Sequence, residues 1–238
     1  MNYIVCVISV IVMLGATAYA DDAGEQRVGV VSLLGEQLEL SHIGALFLTS
    51  RQMKLLVDSW GIDEDIVQSS QLELSELPGI KPVSVQYSYD WFSAVYNSGT
   101  RRMTQSYDPV EMNEQIRSLA VDHGLDVVIL IMGGEMLNPI SGSTDVRGYG
   151  LARKKSGSDK STFIYLSANV KVLDARSLMM LDEFDIRKTE QIPNHYWKSQ
   201  RSDMSAELQV FMADWVKRSA MDGIKANLRI ESLIKNSR

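Results

Sequence analysis

The sequence predicts an α/β (α+β) fold: a mixed sheet with β-hairpins, one face of which is covered by helices, including a long C-terminal helix. Three observations support this class. A capped helix runs directly into a continuous apolar strand near residue 125, two alternating segments form a hairpin between residues 166 and 186, and a stretch of helical period follows residue 202. A helix followed at once by a strand buried on both faces is typical of an α/β layer.

The first 20 residues have the character of an export signal. Residues 3–15 are apolar apart from Ser9, and small residues occupy the A-x-A positions Ala18 and Ala20. We therefore expect a signal peptide at residues 1–20, cleavage after Ala20, and a periplasmic or secreted protein. An uncleaved membrane anchor is the alternative, since this stretch is near the lower limit of about 17–25 residues for a membrane span. No later segment is apolar enough to cross a bilayer, so no stable span is expected after cleavage.

Composition limits the chemistry of the remaining chain. The single cysteine, Cys6, lies within the predicted signal, so residues 21–238, predicted to form a single mixed α/β domain, contain none. Disulfides, thiolate catalysis and cysteine–metal sites are therefore excluded there. A net charge of −6 favours solubility and argues against nucleic acid as a partner.

The mature chain is predicted to begin with β-structure. Residues 28–34 form a strand, Gly35 and Glu36 form a two-residue turn, and residues 38–41 alternate as the returning strand of a hairpin. Further short strands before the first helix make residues 35–57 a candidate β-rich insertion in the domain.

A helix is predicted at residues 62–77, with Asp63, Glu64 and Asp65 in its first turn. Carboxylates at this end complement the helix dipole. The same residues could be metal ligands, but the segment lacks the glycine and distal glutamate of a calcium loop, and we expect no metal site. The densest aromatic cluster of the chain follows: Tyr87, Tyr89, Trp91, Phe92 and Tyr96. A packed core seam is the favoured interpretation, and a stacking platform for a small ligand is the alternative.

The clearest local signature is the helix that starts after Asp108. Asp108 is an N-cap, Pro109 occupies the first helical position, and Gly124 ends the helix. Residues 125–132 then form a buried, central strand.

Basic residues are concentrated in residues 141–161, a segment rich in Gly, Ser and Lys that we predict to be a long connection. A solvated loop explains these charges, but so does contact with an anionic partner such as a phosphorylated glycan or a lipid head group. The segment 194–197 is a second surface candidate. The candidate partner-contact residues are Arg147, Arg153, Lys154, Lys155, Lys160, His195, Tyr196 and Trp197.

The C-terminal part combines a hairpin with a helix. Residues 166–172 alternate, residues 174–177 make the turn, and residues 178–186 return. Ser202 is the expected cap of the long final helix, which Gly223 could bend or split.

Three segments carry a resemblance to a known class. They are RVGVV at residues 27–31, AVDHGLDVVI at residues 120–129 and ANVKVLDARSL at residues 168–178. Together they resemble the bacterial envelope α/β domains of the CsgG, LpoB and TolB amino-terminal type. The resemblance implies binding and assembly and transfers no site residues.

The sequence contains no recognisable catalytic constellation. The three histidines, His42, His123 and His195, share no metal-ligand spacing, and no nucleophile elbow is present. Cofactors are therefore not expected. We expect a non-catalytic, exported binding or assembly protein of the cell envelope, with a protein or envelope component as partner, which could form oligomers. A hydrolase with paired carboxylates and a small-ligand binder are the alternatives.

Overall fold

The computed structural model describes residues 25–43, 51–88, 109–142, 145–156, 159–193, 204–229 and 233. The described elements comprise ten strands, three α-helices and one 3-10 helix at Asp58–Trp60. The strands are β1 (Gln26–Leu33), β2 (Gln37–Ile43), β3 (Arg51–Leu56), β4 (Ile80–Val83), β5 (Val127–Gly133), β6 (Glu135–Leu137), β7 (Asp145–Arg147), β8 (Tyr149–Ser156), β9 (Asp159–Asp174) and β10 (Met180–Ile192). The helices are α1 (Ile62–Ser75), α2 (Pro109–His123) and α3 (Ala206–Asn227).

The long strand β9 organises the mixed sheet, which has eight strands. One edge of β9 pairs with β10, and the other edge pairs first with β8 and then with β5. Beyond β9 the sheet therefore divides into two half-sheets. In one, β8 is followed by β2 and then β3, and in the other, β5 is followed by β1 and then β4. The strands β6 and β7 form a separate hairpin between β5 and β8. The predicted fold class is confirmed.

The predicted hairpin of β1 and β2 is wrong. β1 pairs in parallel with β5, β2 pairs in parallel with β8, and both β5 and β8 run antiparallel to β9. β2 therefore continues in the direction of β1, and the glycine at position 35, with φ of 82°, marks a break between two collinear strands. The segment 35–57 supplies β2 and β3 of the main sheet.

Both faces of the sheet are covered by other elements. The apolar side chains of α1 and α3 pack against one face, including Ile129 of β5 and Val170 of β9. On the opposite face, α2 packs over β5 and β1, and Leu130 of β5 is part of that cluster. The helices that the sequence predicts on one face are thus α1 and α3, while α2 forms a third layer.

The helices α1 and α3 lie side by side and run in the same direction. Lys217 of α3 forms an ion pair with Asp65 near the start of α1, and Lys225 pairs with Glu73 near its end at 2.6 Å. Between these two contacts, the Ser70 hydroxyl lies 3.6 Å from the Met221 sulfur. These spacings fix the register of the two helices over the sheet.

Several local predictions are confirmed. Pro109 is the first residue of α2, Gly124 ends that helix with φ of 59°, and β5 is buried along its whole length. The hairpin of β9 and β10 forms as expected. Asp108 lies outside the described residues.

Two local predictions are corrected. The cap of the last helix is Ser205, whose hydroxyl accepts a hydrogen bond from the Leu208 amide, and Ser202 lies outside the described residues. The helix is not split at Gly223, and the lack of a side chain there allows α3 to approach Ile186 closely. None of the described helices combines the length and apolar character needed to cross a membrane.

Candidate functional site

A row of three residues crosses the half-sheet formed by β2, β8 and β9. Glu39 on β2 lies beside Gly150 on β8, and Gly150 lies opposite Tyr165 on β9. The two flanking side chains are buried, although one carries a carboxyl group and the other a hydroxyl group. Buried polar groups of this kind are costly unless their surroundings compensate them, so the row is the first candidate for a functional site.

Gly150 makes this arrangement sterically feasible. A Cβ atom at this position would lie 2.1 Å from the Glu39 carbonyl oxygen and 2.5 Å from the Tyr165 hydroxyl oxygen. Glycine within a strand typically marks a close approach of another group, and here it allows the tyrosine ring to lie over β8 toward β2.

The hairpin of β6 and β7 covers this row. Val146 of β7 is buried against Tyr165 and Ala152, and Met136 of β6 packs onto the same small cluster. Polar contacts fix the position of the cover. Arg147 donates its backbone N–H to Glu39 Oε2 at 3.4 Å. Asn138, just after β6, donates a side-chain N–H to the Ser41 hydroxyl at 3.1 Å.

Burial dominates the electrostatics of the row. It raises the pKa of the Glu39 carboxyl, whereas the amide of Arg147, the charge of Lys54 and the hydroxyl of Tyr165 act in the opposite direction. Burial also raises the pKa of Tyr165, and the negative charge of Glu39 adds to that effect. The row therefore shifts both groups toward their neutral forms relative to the same groups in water.

The raised pKa of Glu39 predicts a pH-dependent stability. At any pH between the ordinary pKa of 4.5 and the raised pKa of Glu39, the folded protein binds more protons than the unfolded chain. The free energy of unfolding therefore falls as the pH rises through this interval and then stays level. Glu39→Gln should be more stable than the wild type at pH 8 and equal to it at pH 4, as measured by urea unfolding across this range.

The control for this prediction is Glu114→Gln, which removes an exposed carboxyl of α2 outside the row and should not reproduce the gain in stability at pH 8. Asp63 will contribute a slope of the same sign in every variant, because burial also raises its pKa. Parallel pH profiles of Glu39→Gln and the wild type would contradict the prediction.

The hairpin of β8 and β9 carries the basic segment. Contrary to the expected long connection, residues 149–156 and 159–166 form one continuous antiparallel ladder. β2 pairs with this hairpin as far as Lys154, and β10 pairs with it as far as Thr162. Among the described residues, the pairs 155 with 160 and 156 with 159 have no third strand beside them, so they lie at the end of the sheet. We call Lys155 and Lys160, together with the adjacent Lys154 at the end of the pairing with β2, the basic tip.

The structure separates the predicted partner-contact residues. Arg147 is partly buried on β7, where its Nε donates to the Gly133 carbonyl oxygen at 3.3 Å. Arg153 is only 9% exposed, on the sheet face that α1 and α3 cover, and this burial lowers the pKa of its guanidinium. Lys154 is exposed, and Lys155 lies directly opposite Lys160 in the ladder. His195, Tyr196 and Trp197 lie outside the described residues.

Asp63 was expected to act on the helix dipole, but the structure gives it a specific set of partners. Its carboxylate accepts hydrogen bonds from the Ser32 hydroxyl at 2.5 Å and from the amides of Leu34 and Gly35 at 3.0 Å each. Tyr87 completes this region, since its hydroxyl contacts the backbone of Ser32, and burial raises its pKa to about 12. The Asp63 carboxylate therefore stabilises the backbone at the break between β1 and β2.

Two other kinds of site can be judged only within the described ranges. No group of three or more His, Cys, Asp or Glu residues there could hold a metal ion. A cavity of about 240 Å³ lies between the C-terminal turns of α1 and α3. This volume is below the range of about 300–1,000 Å³ that is typical of ligand pockets. The lining comprises Ser70, Glu73, Leu74, Leu77, Ile129, Ile224, Lys225 and Leu228.

Comparisons with known proteins give no family assignment. No family model matches the chain, and no curated protein matches it. Similar solved structures include lipoprotein GNA1162 from Neisseria meningitidis, at 12% identity over 83% of this chain and 99% of that one, with a TM-score of 0.31. The hypothetical protein CT253 from Chlamydia trachomatis shares 12% identity over 89% and 99% of the two chains, with a TM-score of 0.36.

A third similar structure is protein XCC0632 from Xanthomonas campestris, at 8% identity over 86% of this chain and 88% of that one, with a TM-score of 0.31. These similarities span most of each chain, but their TM-scores are too low to support an argument about function. The functional conclusion therefore depends on the residues of this chain.

Proposed function

We propose that this chain is an exported, non-catalytic binding or assembly protein of the bacterial cell envelope, and that its basic tip binds an anionic, phosphate-bearing component of that envelope. The leader-like residues 1–20 support export. The resemblance to domains of the CsgG, LpoB and TolB amino-terminal type supports a role in binding and assembly.

The observation that carries the proposal is the position of the lysines in the β8–β9 ladder. Lys155 and Lys160 lie directly opposite each other, and like charges in this relation destabilise a strand pair. The chain as a whole carries a net charge of −6, so the basic tip is a local exception. An anionic partner would neutralise the like charges and offset this local cost.

Vesicle binding tests the proposal. The protein would be mixed with vesicles of phosphatidylethanolamine, alone or with phosphatidylglycerol, and the bound fraction measured by co-sedimentation at several salt concentrations. Each lysine near an anionic bilayer is worth about 1 kcal/mol. The variant Lys154→Ser/Lys155→Ser/Lys160→Ser should therefore bind the anionic vesicles about 100-fold more weakly than the wild type.

The matched control is Lys188→Ser/Arg218→Ser/Arg229→Ser, which removes the same charge from exposed positions outside the tip. This control should bind like the wild type. Equal losses in the two variants would show that net charge, and not the tip, controls binding. If the wild type ignores anionic vesicles, and the tip variant recovers the same cross-linked partners from envelope extracts, the proposal is discarded.

A further inference from the structure

The outer edge of β10 is the longest open strand edge in the described part of the chain. β10 has 13 residues and pairs with β9 along its inner edge. No described strand pairs with its outer edge, so backbone N–H and C=O groups of alternate residues point outward. Proteins usually blunt such edges with short strands, charged side chains, prolines or bulges. Of these devices β10 has the charges, at Asp182, Glu183, Asp185, Arg187, Lys188 and Glu190. This strand contains no proline, and its one irregularity lies at its start, between Met180 and Asp182.

We propose that a second copy of this chain binds here, with the two β10 strands antiparallel about a two-fold axis at Ile186. The two sheets would then form one continuous sheet. Addition of a strand to an open edge gains main-chain hydrogen bonds, and a two-fold axis uses the same surface on both copies. This inference concerns a different surface from the basic tip and does not depend on it.

The charge pattern of β10 selects the register. Directly opposite residues of an antiparallel pair point to the same face, so the two-fold axis must pass through a residue. An axis at Ile186 places Asp185 of each copy opposite the partner's Arg187. Within one chain, Asp185 and Arg187 already form an exposed ion pair at 2.8 Å. The dimer would therefore contain a square of two carboxylates and two guanidinium groups with alternating charge.

Neighbouring registers lack this complementarity. An axis at Asp185 would place the two copies of Asp185 opposite each other, and an axis at Arg187 would do the same for Arg187. Both registers are unfavourable because they oppose like charges. The register at Ile186 has one cost, since Asp182 comes opposite the partner's Glu190. The Glu190 carboxylate accepts a hydrogen bond from Trp215 Nε1 at 2.6 Å, so this cost falls at the side of the dimer that α3 covers.

The helix layer is compatible with this dimer. α3 contacts both β9 and β10, and Gly223 brings its backbone close to Ile186. With strands about 4.8 Å apart, helices that lie over the two β9–β10 pairs would have axes roughly 10 Å apart. Packed helices in proteins are separated by about 8–10 Å, so the two copies of α3 would meet at an ordinary packing distance.

Sedimentation velocity over a wide range of protein concentration tests the proposal on protein expressed at full length. The wild type should show a concentration-dependent equilibrium between monomer and dimer. Arg187→Asp places four carboxylates in the square and should weaken the dimer at least about tenfold, because opposed like charges cost several kcal/mol. The exchanged pair Asp185→Arg/Arg187→Asp restores the alternation and should bring the dissociation constant back to within about threefold of the wild type.

The matched control is Arg117→Asp, which makes the same charge change at an exposed position on α2, outside the proposed interface, and should leave the dimer unaffected. A wild type that stays monomeric at every concentration overturns the proposal, as does a dimer that is insensitive to Arg187→Asp. Hydrogen exchange of the wild type gives a second measurement that needs no variant. Amides of β10 should exchange more slowly as the concentration rises, and unchanged exchange in a dimer would place the interface elsewhere.

Discussion

Asp63→Ala should lower the free energy of unfolding by about 3–5 kcal/mol, as measured by urea denaturation near neutral pH. The substitution leaves the Ser32 hydroxyl and the amides of Leu34 and Gly35 without their acceptor. A buried donor that loses its partner costs about 1–3 kcal/mol, and three are affected here. The loss is partly offset because Ala also removes the cost of burying a carboxyl group, which is evident in the raised pKa of Asp63.

Two variants separate this role from an effect on the helix dipole. Glu64→Ala removes an exposed carboxyl from the same turn of α1 and should cost no more than about 1 kcal/mol. Asp63→Asn keeps one acceptor oxygen and should lie between the two. If Asp63→Ala and Glu64→Ala cost the same, Asp63 does not hold the break between β1 and β2.

Gly150→Ala should be the most damaging single-methyl addition in the described sheet, with a loss of about 3 kcal/mol or more, or failure to fold. The new methyl group would lie 2.1 Å from a backbone oxygen of β2, which can move only if the two strands separate. Thermal and urea unfolding of the purified variant would measure the loss.

Gly223→Ala is the matched control for this prediction. There the three atoms nearest to the added methyl group all belong to the Ile186 side chain and none to the backbone, so the loss should be smaller, because no strand pair has to separate. The double variant Gly150→Ala/Tyr165→Phe should remain unstable, because removal of the hydroxyl leaves the clash with the Glu39 carbonyl. Recovery of wild-type stability in this double variant would contradict the assignment of the backbone clash as the main cause.

The elements that the sequence predicted correctly are those whose signals are local. Pro109 and Gly124 mark the ends of α2 by their own backbone preferences, and the apolar run of β5 indicates a strand buried on both faces. The alternation of β9 and β10 likewise identifies a hairpin from neighbouring residues alone.

Pairing between distant segments was not predictable in this way. Gly35 and Glu36 have the residue types of a hairpin turn, but β2 finds its partners in β3 and β8. The preference for a tight turn is worth little compared with burial of Leu38 and Leu40 in the core beside β8. No residue near position 36 indicates that β2 will pair with β3 and β8 instead of with β1.

The polar row was missed for a related reason. Glu39 alternates with Leu38 and Leu40, which is the pattern of a solvent-exposed position, and only the fold reveals the hairpin that covers it. Gly150 did carry a usable signal, because a glycine inside a strand indicates close approach of another group. The basic tip was found from composition, but its hairpin geometry depends on the pairing of β8 with β9.

The collinear arrangement of β1 and β2 has a consequence for synthesis of the chain. β1 can pair with β4, and β2 with β3, early in synthesis, but Val28 also pairs with Val127 of β5 and Glu39 with Gly150 of β8. The central sheet is therefore completed only after β5 and β8 have been synthesised, so folding of the N-terminal strands depends on the second half of the chain.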